Sequence, residues 1–169
     1  MSDPDVYRRL RDIERWRDAM AAVERSRFVG ARYSTNAGQV LVSGIFSVVD
    51  FEDVTYDPLS LVTTGASWVF TCPIDGYYLV SFCLTFNSSA AWATGENSAA
   101  ELFKNGVRFS SLDFYNSWQS GASATFTGSD LVPCVRNDTL QIQAFQSSGA
   151  NISLFAGNAY NYVVIARIG

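Results

Sequence analysis

Histidine is absent from the 169 residues, and that one absence closes several routes to chemistry. No Ser-His-Asp triad or Cys-His dyad can be built, and a zinc site would need carboxylates to complete it. Cysteine is scarce too. Cys72, Cys83 and Cys134 form an odd set without C-x-x-C spacing, which reads as free thiols buried on strands, with one disulfide left open. Charged residues make up only 17% of the chain against a usual quarter. The net charge of −4 offers no basic face for phosphates, so nucleic acid is excluded as a main ligand. Arginine crowds into the first 32 residues, leaving Lys104 as the only lysine. No apolar run approaches a membrane span, and Met1-Ser2-Asp3-Pro4-Asp5 lacks the apolar core of a secretion signal. The expectation is a cytoplasmic product without membrane insertion, in which the sequons at Asn87, Asn137 and Asn151 are chance matches.

What is present is apolar: 48% hydrophobic and 14% aromatic, in a chain long enough for one well-cored domain plus an appendage. Few charges and much apolar surface suggest burial between subunits.

Residues 1–27 read as a helical segment. Asp3 suits the N-cap, Pro4 the first helical position and Asp5 the positive end of the helix dipole. Val6, Ile13 and Met20 recur every seven residues, Trp16 and Val23 fill the intervening seam, and Arg9 interrupts it. A seam this short is marginal alone and needs a partner. It predicts a trimer stalk or a peg docked on a larger assembly, the alternative being a helix folded against its own domain.

Residues 28–169 change to short apolar or alternating runs punctuated by Gly, Asn, Ser and Asp, which predicts an all-β domain. Strands are expected over 28–34, 39–43, 45–51, 67–72, 76–86, 99–104, 107–114, 123–132, 138–146, 151–156 and 160–168. Asn105-Gly106 is a strong two-residue hairpin signal, and the count and spacing suit two packed sheets. Two strands are apolar on both faces. In 77–86, Tyr78, Val80, Phe82, Leu84 and Phe86 oppose Tyr77, Leu79 and Cys83; near the C-terminus, Tyr160, Tyr162, Val164 and Ala166 oppose Val163, Ile165 and Ile168. One face of a sandwich strand is normally wet, so a second cover from a neighbouring copy is expected.

The stretch Tyr56-Asp57-Pro58, then Trp68-Val69-Phe70-Thr71-Cys72-Pro73-Ile74-Asp75-Gly76-Tyr77-Tyr78-Leu79-Val80-Ser81-Phe82, resembles the globular-head family of the complement first component's q subunit. Leu102-Phe103-Lys104-Asn105-Gly106, Leu131-Val132, Asn137–Ile142 and Tyr160–Ile168 extend the resemblance in order over residues 28–169. That family belongs to the tumour-necrosis-factor-like jelly rolls. The resemblance implies a ten-stranded jelly-roll sandwich behind the short N-terminal α-helix, and a tight homotrimer that binds through loops or its outer surface. It also implies that Gly76 forms the tight entry to a long strand and that Tyr78 and Phe82 lie near the trimer axis. The expected trimer contacts are Tyr78, Val80, Phe82, Tyr160 and Tyr162. Animal members carry a collagen-like stalk and a secretion signal, and neither is present here.

A trimeric head on a helical peg suggests a non-enzymatic virion protein of a bacterial virus: a capsid decoration, head fibre or tail-tip adhesin. The helix (Val6, Ile13, Trp16, Met20, Val23) would attach to other virion proteins, and the head would bind a host glycan or protein. Trp92, Tyr115 and Trp118 in polar loops are candidate ligand contacts. A non-viral, cell-surface or secreted trimeric binding module is the alternative. A remoter one is a glycoside hydrolase using Asp50, Glu52 and Asp53, with Asp50 and Glu52 on one strand face; solvated carboxylates at a strand end explain the cluster more simply. No cofactor is expected, and calcium is a weak option because the spacing matches no calcium loop.

Overall fold

The computed structural model describes residues 4–26, 28–87, 93–116 and 123–168, with helix side chains described for residues 6–17. One helix, α1 (Pro4–Ser26), precedes β1 (Gly30–Ser34), β2 (Val40–Leu41), β3 (Ser47–Val48), β4 (Asp53–Tyr56), β5 (Val62–Thr63), β6 (Val69–Thr71) and β7 (Gly76–Phe86). There follow β8 (Asn97–Lys104), β9 (Val107–Asn116), β10 (Ala124–Cys134), β11 (Thr139–Gln146), β12 (Ile152–Ser153) and β13 (Tyr162–Ile168). The first sheet has the order β10-β7-β13-β1-β4. The second runs β5-β6-β11-β8-β9, with β3 also pairing β11, and β2 pairs β12 apart from both. Thirteen strands are thus present among the described residues, against the ten expected, because short edge pieces pair independently.

Alternation decides the core. The even-numbered residues of β7, from Tyr78 to Phe86, are at most 2% exposed, and stand beside Val132 and Phe126 of β10 and Val163 and Ile165 of β13 on the inward face of the same sheet. From the second sheet, Phe70, Leu102, Leu140 and Ile142 meet them. Rings interlock edge to face, Phe70 with Tyr78 at 5.9 Å and Phe51 with Trp68 at 5.3 Å. Each such side chain contributes about 1.5–3 kcal/mol by leaving water. Tyr78 keeps its hydroxyl satisfied by donating to the Ile74 carbonyl at 2.7 Å.

Turn chemistry follows the sequence. Asn105 and Gly106 adopt φ of 52° and 74°, the pair of positive values that a tight hairpin between β8 and β9 requires. Gly76 enters β7 at φ 154°, a backbone conformation that favours glycine, and a Cβ there would stand 2.5 Å from the Arg167 Nε and push that side chain aside. Next to the hairpin, Asp138 receives Lys104 Nζ at 2.9 Å, Asn105 Nδ2 at 2.7 Å and the Val135 amide at 2.9 Å. The Asn105 bond, then the Lys104 and Val135 bonds, hold the Asp138 carboxyl down at about 2.

The carboxylates proposed as a hydrolytic pair do not share a strand face. Asp50 and Glu52 lie in the irregular link between β3 and β4, and only Asp53 is in a strand. Their oxygens are used locally: Asp50 accepts the Gly65 amide at 2.9 Å and Glu52 accepts the Thr35 hydroxyl at 3.4 Å.

Candidate assembly and binding surfaces

The first sheet turns its other face outward. On β7 that face carries Tyr77, Leu79, Ser81 and Cys83, matched on β13 by Ile168, Ala166, Val164 and Tyr162. On β10 the matching positions are Pro133, Leu131, Ser129 and Thr127. None of these twelve residues is charged. Tyr77 (55%), Leu79 (39%), Leu131 (45%) and Ile168 (45%) are large and exposed in the single chain. Beside them on β1, the Arg32 guanidinium sits 4.6 Å over the Tyr162 ring, a cation–π contact. An open apolar hollow of about 290 Å³, lined by Phe28, Ala31, Arg32, Tyr56, Val164 and Ile165, continues this region towards the helix exit.

This geometry corrects the expected trimer contacts. Tyr78, Val80 and Phe82 are buried between the two sheets of one chain and cannot meet another copy. Strand alternation sends them inward and leaves Tyr77, Leu79 and Ser81 outside. Tyr162 does lie on the outward face, half-buried under Arg32. Tyr160 stands on the rim before β13, 48% exposed, its ring 4.9 Å from that of Phe155. Sequence reasoning missed Tyr77, Leu79, Leu131 and Ile168 as the exposed set, although it had placed Tyr77 and Leu79 on the opposing face; it set Ile168 with Val163 and Ile165, whereas strand alternation puts Ile168 outward with Tyr162, Val164 and Ala166.

The second sheet presents a different outward face. Phe103 and Glu101 of β8 stand across from Gln141 and Gln143 of β11, and Phe145 is one position further along. The Phe46 ring contacts both Phe103, at 5.8 Å, and Phe145, at 5.0 Å. Glu101 is only 3% exposed and accepts one hydrogen bond from Arg108 Nη1 at 2.9 Å. Its other oxygen is buried without a partner.

Among the loop candidates, Tyr115 is 46% exposed at the end of β9, whereas Trp92 and Trp118 lie outside the described residues. In α1, Val6 (51%), Leu10 (51%), Ile13 (62%) and Trp16 (67%) are all exposed, so the helix does not bury this stripe against its own head. The backbone of Met20 and Val23 is helical, while their side chains, like Asp3, lie outside the described residues.

The three thiols are free and buried. Burial raises all of them, and Cys72 is raised further by the facing Cys134, so none is a ready nucleophile. Burial, and then the hydrogen bond to Asp57, also push the Tyr33 phenol up to about 12. Among the described residues no group of three or more Cys, Asp or Glu is placed to hold a metal ion. No helix among them is long and apolar enough to cross a membrane.

No family model matches the chain, and no curated protein matches it. Solved structures do. The globular domain of zebrafish complement 1qA aligns at a TM-score of 0.59 and 17% identity over 83% of this chain and 95% of that one. Eiger TNF from S. frugiperda aligns at 0.58 and 12% identity, covering 84% and 93%. Murine APRIL aligns at 0.58 and 11%, covering 84% and 100%. At these identities the likeness is one of fold, and the chain's fold is the tumour-necrosis-factor-like jelly roll with a helix in front of it.

Proposed function

We propose that the chain is a non-enzymatic binding head that assembles as a homotrimer through the outward face of its first sheet, with α1 as stalk or docking peg. The observation that carries this reading is the uncharged outward face of β7, β13 and β10, where four large apolar side chains stand 39–55% exposed. A face of that composition is normally covered. Its position supports a trimer, because the matching structures include a complement 1qA head and an Eiger TNF of the same fold. The exposed stripe of α1 supports a second contact, either with its own copies or with a larger assembly.

The setting we propose is the surface of a bacterial virus particle, where the helix fixes the head to other virion proteins and the head engages a host glycan or protein. Mass spectrometry of purified particles from the source should find this chain, and its absence would remove the setting without touching the assembly. The assembly itself is tested by light scattering on the full chain. A mass three times 18.6 kDa is expected, and a stable single-chain mass at micromolar concentration refutes it.

A further inference from the structure

We propose that the outward face of the second sheet is a carbohydrate-binding surface for neutral sugars, with Phe46, Phe103 and Phe145 as the stacking platform and the Glu101–Arg108 pair as the polar anchor. The inference rests on the proposed assembly only in that this face stays open when the first sheet is the interface.

Register places the parts together. Phe103 lies two residues from Glu101 on the same face of β8, and Phe145 lies two residues from Gln143, the cross-strand partner of Glu101. A Phe46 ring that touches both phenylalanines therefore spans the Glu101–Gln143 position. It leaves 39% of its own residue surface to solvent. Further aromatic surface continues at Phe114, opposite Ala99 and 55% exposed. Aromatic faces of this kind accept the C–H face of a sugar ring.

The polar anchor selects the charge of the ligand. The Glu101 side chain is 4% exposed and that of Arg108 is 59% exposed. Oε1 takes the Arg108 bond while Oε2 lies buried without a donor, a costly state for a carboxylate oxygen. A ligand that brings a neutral hydroxyl to Oε2 removes that cost and leaves the Oε1–Arg108 ion pair in place, once the part-exposed Phe46 ring that spans this position shifts to admit it. A cationic ligand would compete with Arg108 for the same carboxylate, and an anionic one would face Glu101 directly. The amide of Gln143 beside Glu101 can both donate and accept, and the remaining guanidinium N–H groups can donate to a ring oxygen.

The test uses the full chain, with its assembly checked by light scattering, against carriers bearing glucose, galactose, mannose, N-acetylglucosamine or N-acetylgalactosamine, and a sialic-acid carrier as the anionic comparison. At least one neutral carrier should bind. Phe46→Ala, Glu101→Gln and Arg108→Ser should each weaken that binding by about tenfold or more with unchanged circular dichroism and mass. Phe46 is part-exposed and carries no charge, so Phe46→Ala decides the matter even if Glu101→Gln, or Arg108→Ser, which leaves the buried carboxylate unpaired, fails to fold. Absence of binding to every neutral carrier, preference for sialic acid, or binding that survives Phe46→Ala overturns the inference. A trimer that binds no carrier does so while leaving the assembly reading intact.

Discussion

The two sheets share one core, yet their outward faces differ in kind. The first is uncharged along β10, β7 and β13, a mixture of small hydroxyls and broad apolar side chains. The second mixes phenylalanines with a half-submerged ion pair and two amides. A surface without charge has nothing to keep a like surface away, whereas a carboxylate with an unmet oxygen favours a partner that supplies a donor. The difference teaches that one sandwich can give its two faces different chemistries, on which the proposed self-association and the proposed sugar binding rest separately.

The sharpest way to break this comparison is to exchange inward for outward on a single strand. Tyr78→Ala should cost about 3–5 kcal/mol in urea unfolding, since it empties a site between the sheets, while Tyr77→Ala next door should leave the folded chain near wild-type stability and loosen only its association. Equal effects of the two would mean that the alternation along β7 is misassigned. Next in size, Leu79→Glu would place a charge on the uncharged face, and weakening of the trimer by about 2–3 kcal/mol is expected in sedimentation equilibrium.

A smaller effect concerns the closed end of the head. Asp138 has its carboxyl depressed from 3.8 to about 2, so its contribution to stability is present above about pH 4 and is lost as the pH falls from there towards 2. Asp138→Asn should flatten the acid limb of the stability curve and remove about 1–2 kcal/mol at neutral pH; a parallel-shifted limb with the same slope would contradict this. The smallest effect is expected at the helix. Ile13→Ser should lower the stability of the assembled head in thermal unfolding hardly at all, by about 0.5 kcal/mol or less, because α1 is short and its stripe is exposed. A large drop would move the main interface from the sheet to the helix.

Much of the architecture was legible from residue order. The strand expected over 76–86 has those bounds, and the Asn105-Gly106 hairpin takes the predicted backbone. The strands β4 and β5 were not foreseen. Every residue of β4 is exposed and β5 is two residues long, so neither leaves an apolar period to read. The inward face of β7 was assigned to the wrong partner for a different reason: a strand apolar on both sides announces two covers but not which cover belongs to its own chain. Side-chain volume held the clue, since Tyr78, Phe82 and Phe86 fill a core while Ser81 and Thr85 suit a close approach between surfaces. The Glu101–Arg108 pair was also within reach, because a two-residue hairpin at 105–106 fixes Phe103 opposite Arg108 and sets Glu101 diagonally beside it.

The solitary lysine has a practical corollary. Lys104 is clasped by Asp138 at 2.9 Å and by the Pro133 carbonyl at 2.6 Å, and the Asp138 bond keeps its amine protonated to higher pH than usual. Acylating labels and amine cross-linkers therefore find almost no side-chain amine on the folded head, and coupling chemistry directed at lysine will not report on either outward sheet face.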